Sequence, residues 1–235
     1  MSSARIRAAS SPTVPGAVEP DKLTPMTTIA VLGGTGPQGK GLAARWAQAG
    51  LDVVLGSRDP SRAQAAAEQI GVRGTGNLDA ATQADIVLVA VPFAGHADTV
   101  REVADAVSGK ILIDCVNPLA FDKQGAFPVA VPEGSAAQQA AALAPQARVV
   151  AAFHHVSAVL LADLQQELDI DIMVLADDRE AADEVIRLAD VVPGMRGVFA
   201  GRLRNAAQVE ALTANLISIN RRYKIHAGVR ITDLP

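Results

Sequence analysis

A glycine pattern between an apolar run and a helical run constrains the fold of this chain more than any other feature. The segment AVLGGTGPQGKGL carries Gly34, Gly36 and Gly39 in the order G-x-G-x-x-G. Where a first strand meets a first helix, this spacing is typical of a βαβ unit that binds a dinucleotide, although an ordinary tight turn also uses glycines. We expect Gly34 to permit the turn, Gly36 to admit a pyrophosphate to backbone N–H groups, and Gly39 to let the helix pack on the strand.

The chain to residue 153 alternates short β-branched runs with alanine-rich runs of helical period. This pattern predicts an α/β fold with a Rossmann-type, doubly wound parallel sheet. The predicted strands are 28–33, 52–56, 85–92, 110–116 and 148–153, and the predicted helices are 39–49, 60–69, 94–107 and 135–144. Most of these strands are apolar throughout, as expected when helices cover both faces of a parallel sheet. Residues 26–153 are therefore predicted to form one nucleotide-binding Rossmann domain.

Residues 154–235 contain too few predicted strands for a second nucleotide-binding fold. They are predicted to form a smaller C-terminal α/β domain, with a ligand cleft between the two domains. Its predicted elements are a polar helical stretch at 157–168, a strand at 171–176, a helix that Asp178 opens, a short segment GMRGVFAG, and a last helix from about 205 to 224. Residues 1–25 are rich in Ser, Pro and Ala and lack the apolar core of a signal peptide, which predicts a disordered leader.

Two arginines, Arg58 and Arg62, which we call the basic pair, stand at and just after the position where a nucleotide-binding βαβ unit usually carries an acid. In VVLGSRDPSR, Ser57 and Arg58 occupy the position of the Asp or Glu that accepts hydrogen bonds from the ribose hydroxyls of NAD. Arg62 follows one helical turn later, and a guanidinium group pairs bidentately with phosphate. These three side chains favour NADP over NAD. The alternative is that both arginines are solvated, with Arg62 paired to Asp59.

The composition narrows the kinds of partner. The chain has 235 residues, 49% of them hydrophobic, a net charge of −4 and no long Lys/Arg run, which argues against a nucleic acid or an anionic membrane as the main partner. No apolar run reaches the roughly 18 residues that span a bilayer. The single cysteine, Cys115, fits a reducing compartment and is expected to be a buried apolar residue. We therefore expect a cytoplasmic protein that binds small molecules.

Several segments in a fixed order resemble the NADPH-dependent reductases of the deazaflavin coenzyme F420. They are IAVLGGTGPQGKGLA, VVLGSRDPSRA, VLVAVPFAGHADT, DCVNPL and GMRGVFAGRLRNAAQVEALTANLISINRRYK, and they cover nearly the whole chain from Met26. The GSR element combined with the segment AG-x-L-x-N-A at residues 200–206 is the most specific part. The leader is extra, and Arg202 stands where the motif often has proline.

The resemblance implies a homodimeric enzyme that exchanges a hydride directly between C4 of the nicotinamide and C5 of the deazaflavin, without a metal or a covalent intermediate. The coenzymes then carry the chemistry, and the protein mainly stacks two flat rings in a dry cleft. Beside Gly34, the implied NADP contacts are Thr35, Gly36, Pro37, Gln38, Ser57, Arg58 and Arg62. The nicotinamide half is expected near Val91, Pro92, Phe93, Ala97, Asn117, Pro118 and Ala158.

The C-terminal domain is expected to bind the deazaflavin. His154 matches a histidine that the family has near this site, and it is expected to orient the deazaflavin ring or to donate a proton to it. A purely structural histidine is the alternative. Leu203, Asn205 and Thr213 are expected to line the deazaflavin pocket, although Leu203 and Thr213 also suit ordinary helix packing.

Two other functions stay open at this point. An NADP-dependent reductase of a carbonyl or imine would use the same N-terminal domain with a different second domain. Such enzymes usually need a proton donor such as Lys, Tyr or Asp on the long helix, and this chain has one tyrosine, Tyr223, at the end of that helix. A non-catalytic NADPH sensor would keep the dinucleotide motifs and have a filled cleft.

Overall fold

The computed structural model describes residues 27–234, so the leader predicted at 1–25 lies outside the described residues. The strands are β1 (Thr28–Leu32), β2 (Asp52–Ser57), β3 (Arg73–Gly76), β4 (Ile86–Val89), β5 (Ile111–Asp114), β6 (Leu119–Phe121), β7 (Ala126–Pro128), β8 (Arg148–Ala151), β9 (Ile170–Ala176) and β10 (Met195–Gly201). The helices are α1 (Pro37–Gln48), α2 (Pro60–Glu68), α3 (Asn77–Gln83), α4 (His96–Val103), α5 (Ala136–Leu143), α6 (Ala158–Ala162), α7 (Arg179–Asp190) and α8 (Ala206–Tyr223). Short 3-10 turns at Phe93–Gly95 and Leu203–Asn205 precede α4 and α8. None of the helices between residues 27 and 234 is both long and apolar enough to cross a membrane.

Eight strands form one sheet in the order β10-β9-β8-β5-β4-β1-β2-β3. The six strands from β3 to β8 in this order are parallel. Alternate residues of β1 show why such strands are apolar throughout: Ile29 and Val31 pack into one core cluster, whereas Ala30 and Leu32 pack into a second. The predicted α/β class with a doubly wound, Rossmann-type parallel sheet is confirmed.

The last two strands of the sheet reverse its direction. β9 runs antiparallel to β8 and pairs with it only at Val150–Ala176 and Ala151–Leu175, so most of β9 lies beyond the carboxyl end of β8. β10 runs parallel to β9, and it contains most of the segment GMRGVFAG that the sequence left without an element. Strands from both sides of residue 153 therefore share one sheet, and the division of the chain into two domains stays a prediction.

The helical stretch predicted at 157–168 is shortened to the five residues of α6. Arg45, a buried residue of α1, binds backbone carbonyl groups at the end of α6 and just after it. Its guanidinium group donates hydrogen bonds to the carbonyl oxygens of Leu160, Leu161, Asp163 and Gln166. Because those oxygens already have a donor, no further helical turn is needed to satisfy them.

Candidate functional site

We call the loop between β1 and α1, residues 33–36, the glycine loop. It has the shape that its glycines require. Gly33 adopts φ +75°, and a Cβ atom there would lie 2.7 Å from the carbonyl oxygen of Ala90. The left-handed residue of the turn is therefore Gly33, one position before the expected Gly34. Gly34 must be glycine for a different reason, because a Cβ atom there would lie 2.8 Å from Leu55 Cδ2.

The same loop presents the N-terminus of α1. The N-cap is Gly36, Pro37 opens the helix, and no side chain accepts a hydrogen bond from the first turn. A Cβ atom at Gly36 would meet only one atom within 4 Å, at 3.4 Å, so the backbone is open to a ligand there. At Gly39 a Cβ atom would lie 3.1 Å from Val31 Cγ1, which is the close helix-to-strand packing expected for this glycine. Unpaired N–H groups beside an open backbone suit a pyrophosphate.

Ser57, Arg58 and Arg62 lie together where β2 leads into α2. Ser57 is buried, and its Oγ accepts a hydrogen bond from the backbone N–H of Asp59 at 3.2 Å. Asp59 caps α2 by accepting from the backbone N–H groups of Ser61 and Arg62, at 3.0 and 3.4 Å. Neither Arg58 nor Arg62 forms an ion pair with a carboxylate in the described part of the chain, so the alternative pairing of Arg62 with Asp59 is not formed.

These two loops border a cavity of about 790 Å³, which we call the dinucleotide cavity. Of the residues predicted from the sequence, it is lined by Thr35, Gly36, Pro37, Ser57, Arg58, Arg62, Val91 and Pro92. The remaining lining residues are Gly33, Asp59, Asn77, Ala90, Ala94, Gly95, Asp98 and Thr99. The cavity lies at the carboxyl ends of β1, β2 and β4, where the strand order reverses and α/β folds bind their ligands.

A second cavity of about 220 Å³, the histidine cavity, lies beside the first and shares Ala90 and Val91 with it. Its other lining residues are Gln38, Cys115, Val116, Asn117, His154, Val156 and Thr213. A further space of about 210 Å³ continues from His154 and Thr213 to Ala158 and Ala227. The fold thus brings together five predicted residues from distant segments: Gln38, Asn117, His154, Ala158 and Thr213.

His154 is held by its backbone and left free at its ring. Its carbonyl oxygen accepts hydrogen bonds from Asn117 Nδ2 at 2.8 Å and from Thr213 Oγ1 at 3.0 Å. His154 is 3% exposed, and neither ring nitrogen has a hydrogen-bond partner among the described residues. Burial lowers the pKa of His154 to about 4, and the nearby Asp114 carboxylate and the backbone carbonyl groups of Val116 and Cys115 oppose this only in part. The ring is therefore neutral at pH 7, with one N–H donor and one acceptor available to a ligand.

The residue before His154 holds a strained backbone. Phe153 has φ 63°, a left-handed conformation that is rare for a bulky residue. Its carbonyl oxygen accepts a hydrogen bond from Gln38 Nε2 at 3.1 Å, and its ring packs edge-on against Trp46 with centroids 5.6 Å apart. These contacts from α1 stabilise the turn that carries His154, so the glycine-loop helix also positions the histidine.

Apart from Gly34 in the glycine loop and Ala158 in the adjoining space, five predicted site residues line neither cavity. The ring of Phe93 stacks on that of His96 with centroids 6.1 Å apart, and Ala97 is half-buried on α4. The carbonyl oxygen of Pro118 accepts a hydrogen bond from the backbone N–H of Val129, directly after β7, at 2.9 Å. Leu203 is buried in the core, as in the helix-packing alternative, and Asn205 is the N-cap residue of α8.

The sequence did not single out Asn77, Asp98 and Thr99, which also line the dinucleotide cavity. Asn77 follows β3, whose sequence RGTG has no apolar run, so neither that strand nor its end was predicted. The two glycines of this segment are the one local signal for a loop at this point.

Comparison with known proteins decides the family. The family model described as "NADP oxidoreductase coenzyme F420-dependent" matches residues 28–118. The F420-dependent NADP reductase of Methanothermobacter thermautotrophicus is 39% identical over 221 residues, covering 88% of this chain and 95% of the relative. The F420-dependent NADP reductase of Methanocaldococcus jannaschii is 36% identical over 223 residues, covering 88% of this chain and 98% of the relative. The chain belongs to the F420-dependent NADP reductase family.

A solved structure extends this likeness to three dimensions. The putative F420-dependent NADP reductase from Arthrobacter sp. FB24 has a TM-score of 0.75 and 25% identity, covering 87% of this chain and 98% of that structure. Along the present chain, the match to the F420-dependent family model covers the whole glycine loop, the basic pair and Asn117. His154 and Thr213 lie outside the matched residues.

Proposed function

We propose that the protein transfers a hydride reversibly between NADP(H) and the deazaflavin coenzyme F420, with NADP(H) in the dinucleotide cavity and the deazaflavin ring in the histidine cavity. The observation that carries this proposal is that the two cavities share Ala90 and Val91, directly after β4. A dinucleotide with its adenosine at Arg58 and its pyrophosphate at α1 would bring its nicotinamide to this junction.

The choice of NADP over NAD is supported by the charges at the end of β2. Arg58 and Arg62 lack an ion-pair partner among the described residues, and a 2′-phosphate would provide one. Asp59, the nearest acid in sequence, has its carboxylate engaged in capping α2. The position that NAD enzymes give to the ribose-binding acid is held by Ser57 and Arg58.

The coenzymes supply the redox chemistry: a hydride with its two electrons passes between C4 of the nicotinamide and C5 of the deazaflavin, and a proton joins or leaves the deazaflavin ring. The chain contributes position and the exclusion of water. Val91, Val116 and Val156 give the histidine cavity apolar walls. Asn117 and Thr213 fix the backbone of His154 inside it.

Of the two roles expected for His154, orientation of the ring has the better support. Because burial lowers the pKa of His154 to about 4, the imidazole is almost entirely neutral at pH 7. A charged proton donor is therefore nearly absent under these conditions. The neutral imidazole still offers one donor and one acceptor to the deazaflavin, and the proton then comes from solvent.

The alternative of a carbonyl or imine reductase has less support. The polar side chains that line the histidine cavity belong to Gln38, Cys115, Asn117, His154 and Thr213, and none of them is the Lys, Tyr or Asp that such enzymes use as a proton donor. Tyr223 is exposed at the end of α8. The open histidine cavity also argues against a sensor with a filled cleft.

The test is to follow the absorbance of F420 after adding the purified full chain with NADPH, and in parallel with NADH. We expect rapid bleaching with NADPH and slow bleaching with NADH. An unchanged spectrum under both conditions would reject the proposed activity. A cytoplasmic location and a homodimer remain predictions, and size-exclusion chromatography with light scattering checks the second.

A further inference from the structure

We propose that Asn77 determines coenzyme specificity by contacting the 2′-phosphorylated ribose of NADP(H). This inference rests on the proposed function, because it assigns a role to a residue in the dinucleotide cavity. The sequence motifs that line this cavity assign Arg58 and Arg62 to the 2′-phosphate. They assign no role to the side-chain amide of Asn77.

The topology places Asn77 beside the basic pair. β3 pairs with β2 so that Gly76 lies opposite Ser57, and Asn77 begins α3 immediately afterwards. A Cβ atom on Gly56 would lie 3.0 Å from Asn77 Oδ1, so the amide packs against the end of β2. The carbonyl oxygen of Gly56 in turn accepts hydrogen bonds from the N–H groups of Gly33 and Gly34, at 3.1 Å each. The amide therefore lies between the glycine loop and the arginines, at the adenosine end of the cavity.

The hydrogen-bonding capacity of Asn77 is unused by the described residues. Asn77 is 2% exposed and its Oδ1 is buried without a partner. The other buried hydroxyls of the lining are engaged, since Ser57 Oγ accepts from the N–H of Asp59 and Thr99 Oγ1 donates to the carbonyl oxygen of Gly95. Buried polar atoms in folded proteins are almost always paired, so an unpaired amide in the wall of a cavity indicates a partner in the ligand.

The chemistry of an amide suits a phosphorylated ribose better than either neighbouring group. Arg58 and Arg62 only donate hydrogen bonds, whereas an amide donates through Nδ2 and accepts through Oδ1. Phosphorylation of the 2′-hydroxyl leaves the 3′-hydroxyl as a donor and adds phosphate oxygens as acceptors. The amide can donate to the phosphate through Nδ2, whereas a carboxylate of the same shape would repel the phosphate.

The experiment measures binding of 2′,5′-ADP and 5′-AMP to the full chain by titration calorimetry, for the wild type and for Asn77→Asp and Asn77→Ala. Asn77→Asp keeps the shape and removes the donor, so we expect about 100-fold weaker binding of 2′,5′-ADP with 5′-AMP within about twofold of the wild type. Asn77→Ala should weaken binding of 2′,5′-ADP by about tenfold and of 5′-AMP by less. Thr82→Ala, on the exposed face of the same helix, is the matched control and should change neither probe.

Equal losses for the two probes, or unchanged binding of 2′,5′-ADP in both variants, would overturn the assignment. Melting curves of the variants identify a folding defect, and the isosteric Asp variant retains the packing at Gly56 should the Ala variant prove unstable. A wild type that fails to bind 2′,5′-ADP would reject the proposed cavity itself, which is a distinguishable result.

Discussion

The dinucleotide cavity and the histidine cavity share Ala90 and Val91, yet the chain builds them in opposite ways. The glycine loop and the basic pair come from two consecutive strand-to-helix junctions, and backbone geometry at Gly33 and Gly34 determines their shape. The histidine cavity is assembled from distant segments, and two side chains hold it by binding one carbonyl oxygen, that of His154. The first cavity thus depends on a local motif with exposed charge, and the second on buried tertiary hydrogen bonds.

The strongest test of this contrast removes the charge from the dinucleotide cavity. We expect Arg58→Ala combined with Arg62→Ala to raise the KM for NADPH by about 100-fold, roughly 3 kcal/mol, because two charge-assisted hydrogen bonds to the 2′-phosphate are lost. The KM for NADH and the KM for F420 should change little. Steady-state kinetics with each dinucleotide measures this, and similar losses for both would mean that the 2′-phosphate binds elsewhere.

A second test uses the burial of the histidine pair. Burial lowers the pKa of His155 to about 4, and its Nε2 accepts a hydrogen bond from the N–H of Met173 at 3.3 Å. Between the pKa of about 4 in the folded chain and about 6.5 in the unfolded chain, the unfolded state binds more protons, so acid destabilises the fold. From pH 7 to pH 5, the free energy of unfolding of the wild type should fall by about 2 kcal/mol more than that of His155→Gln.

Urea titrations at the two pH values measure that difference. Because each comparison is between the wild type and the variant at the same pH, the contributions of titrating groups that do not interact with His155 cancel. Glu210 is one such group, with a pKa raised to about 7 by burial. A gap that does not change with pH would mean that His155 is hydrated and not buried as described.

The hydrogen bonds that hold His154 allow a third, smaller test. Thr213→Val keeps the shape of the side chain and removes the hydrogen bond to the carbonyl oxygen of His154. We expect kcat/KM for F420 to fall about fivefold, roughly 1 kcal/mol, while the Kd for NADPH stays unchanged. Ser218→Ala, which removes a hydroxyl that binds within α8, is the matched control. A loss of NADPH affinity in Thr213→Val would show that the two cavities are not separable in this way.

The smallest effect is expected at Cys115. Its thiol lines the histidine cavity, and burial raises its pKa far above the physiological range, with the Asp114 carboxylate adding to the shift. A thiol that does not ionise is a poor nucleophile, so Cys115→Ala should change kcat by less than about twofold. The native protein should resist iodoacetamide until it is unfolded, and rapid labelling of the native protein would contradict the burial.

The sequence predicted the dinucleotide cavity better than the histidine cavity, for physical reasons. The spacing of Gly34, Gly36 and Gly39 reflects local steric demands, so the loop and its helix follow from the chain itself, and only the left-handed residue differed. Asn117 and Thr213 gain their role through a carbonyl oxygen far away in sequence, which no local pattern encodes. Asn77 was missed because it follows β3, a four-residue strand without apolar alternation. β10 was missed because it is a glycine-containing edge strand, and both kinds of strand leave weak sequence patterns.

The lack of ion-pair partners for Arg58 and Arg62 among the described residues also has a kinetic consequence. The chain carries a net charge of −4, so much of its surface repels a polyanionic dinucleotide, while these two side chains attract it at one cavity entrance. Encounter should therefore be guided through solvent, with an association rate that falls steeply as salt is added and a dissociation rate that changes much less. The side chains proposed to distinguish NADP from NAD would thus also govern how quickly NADP arrives.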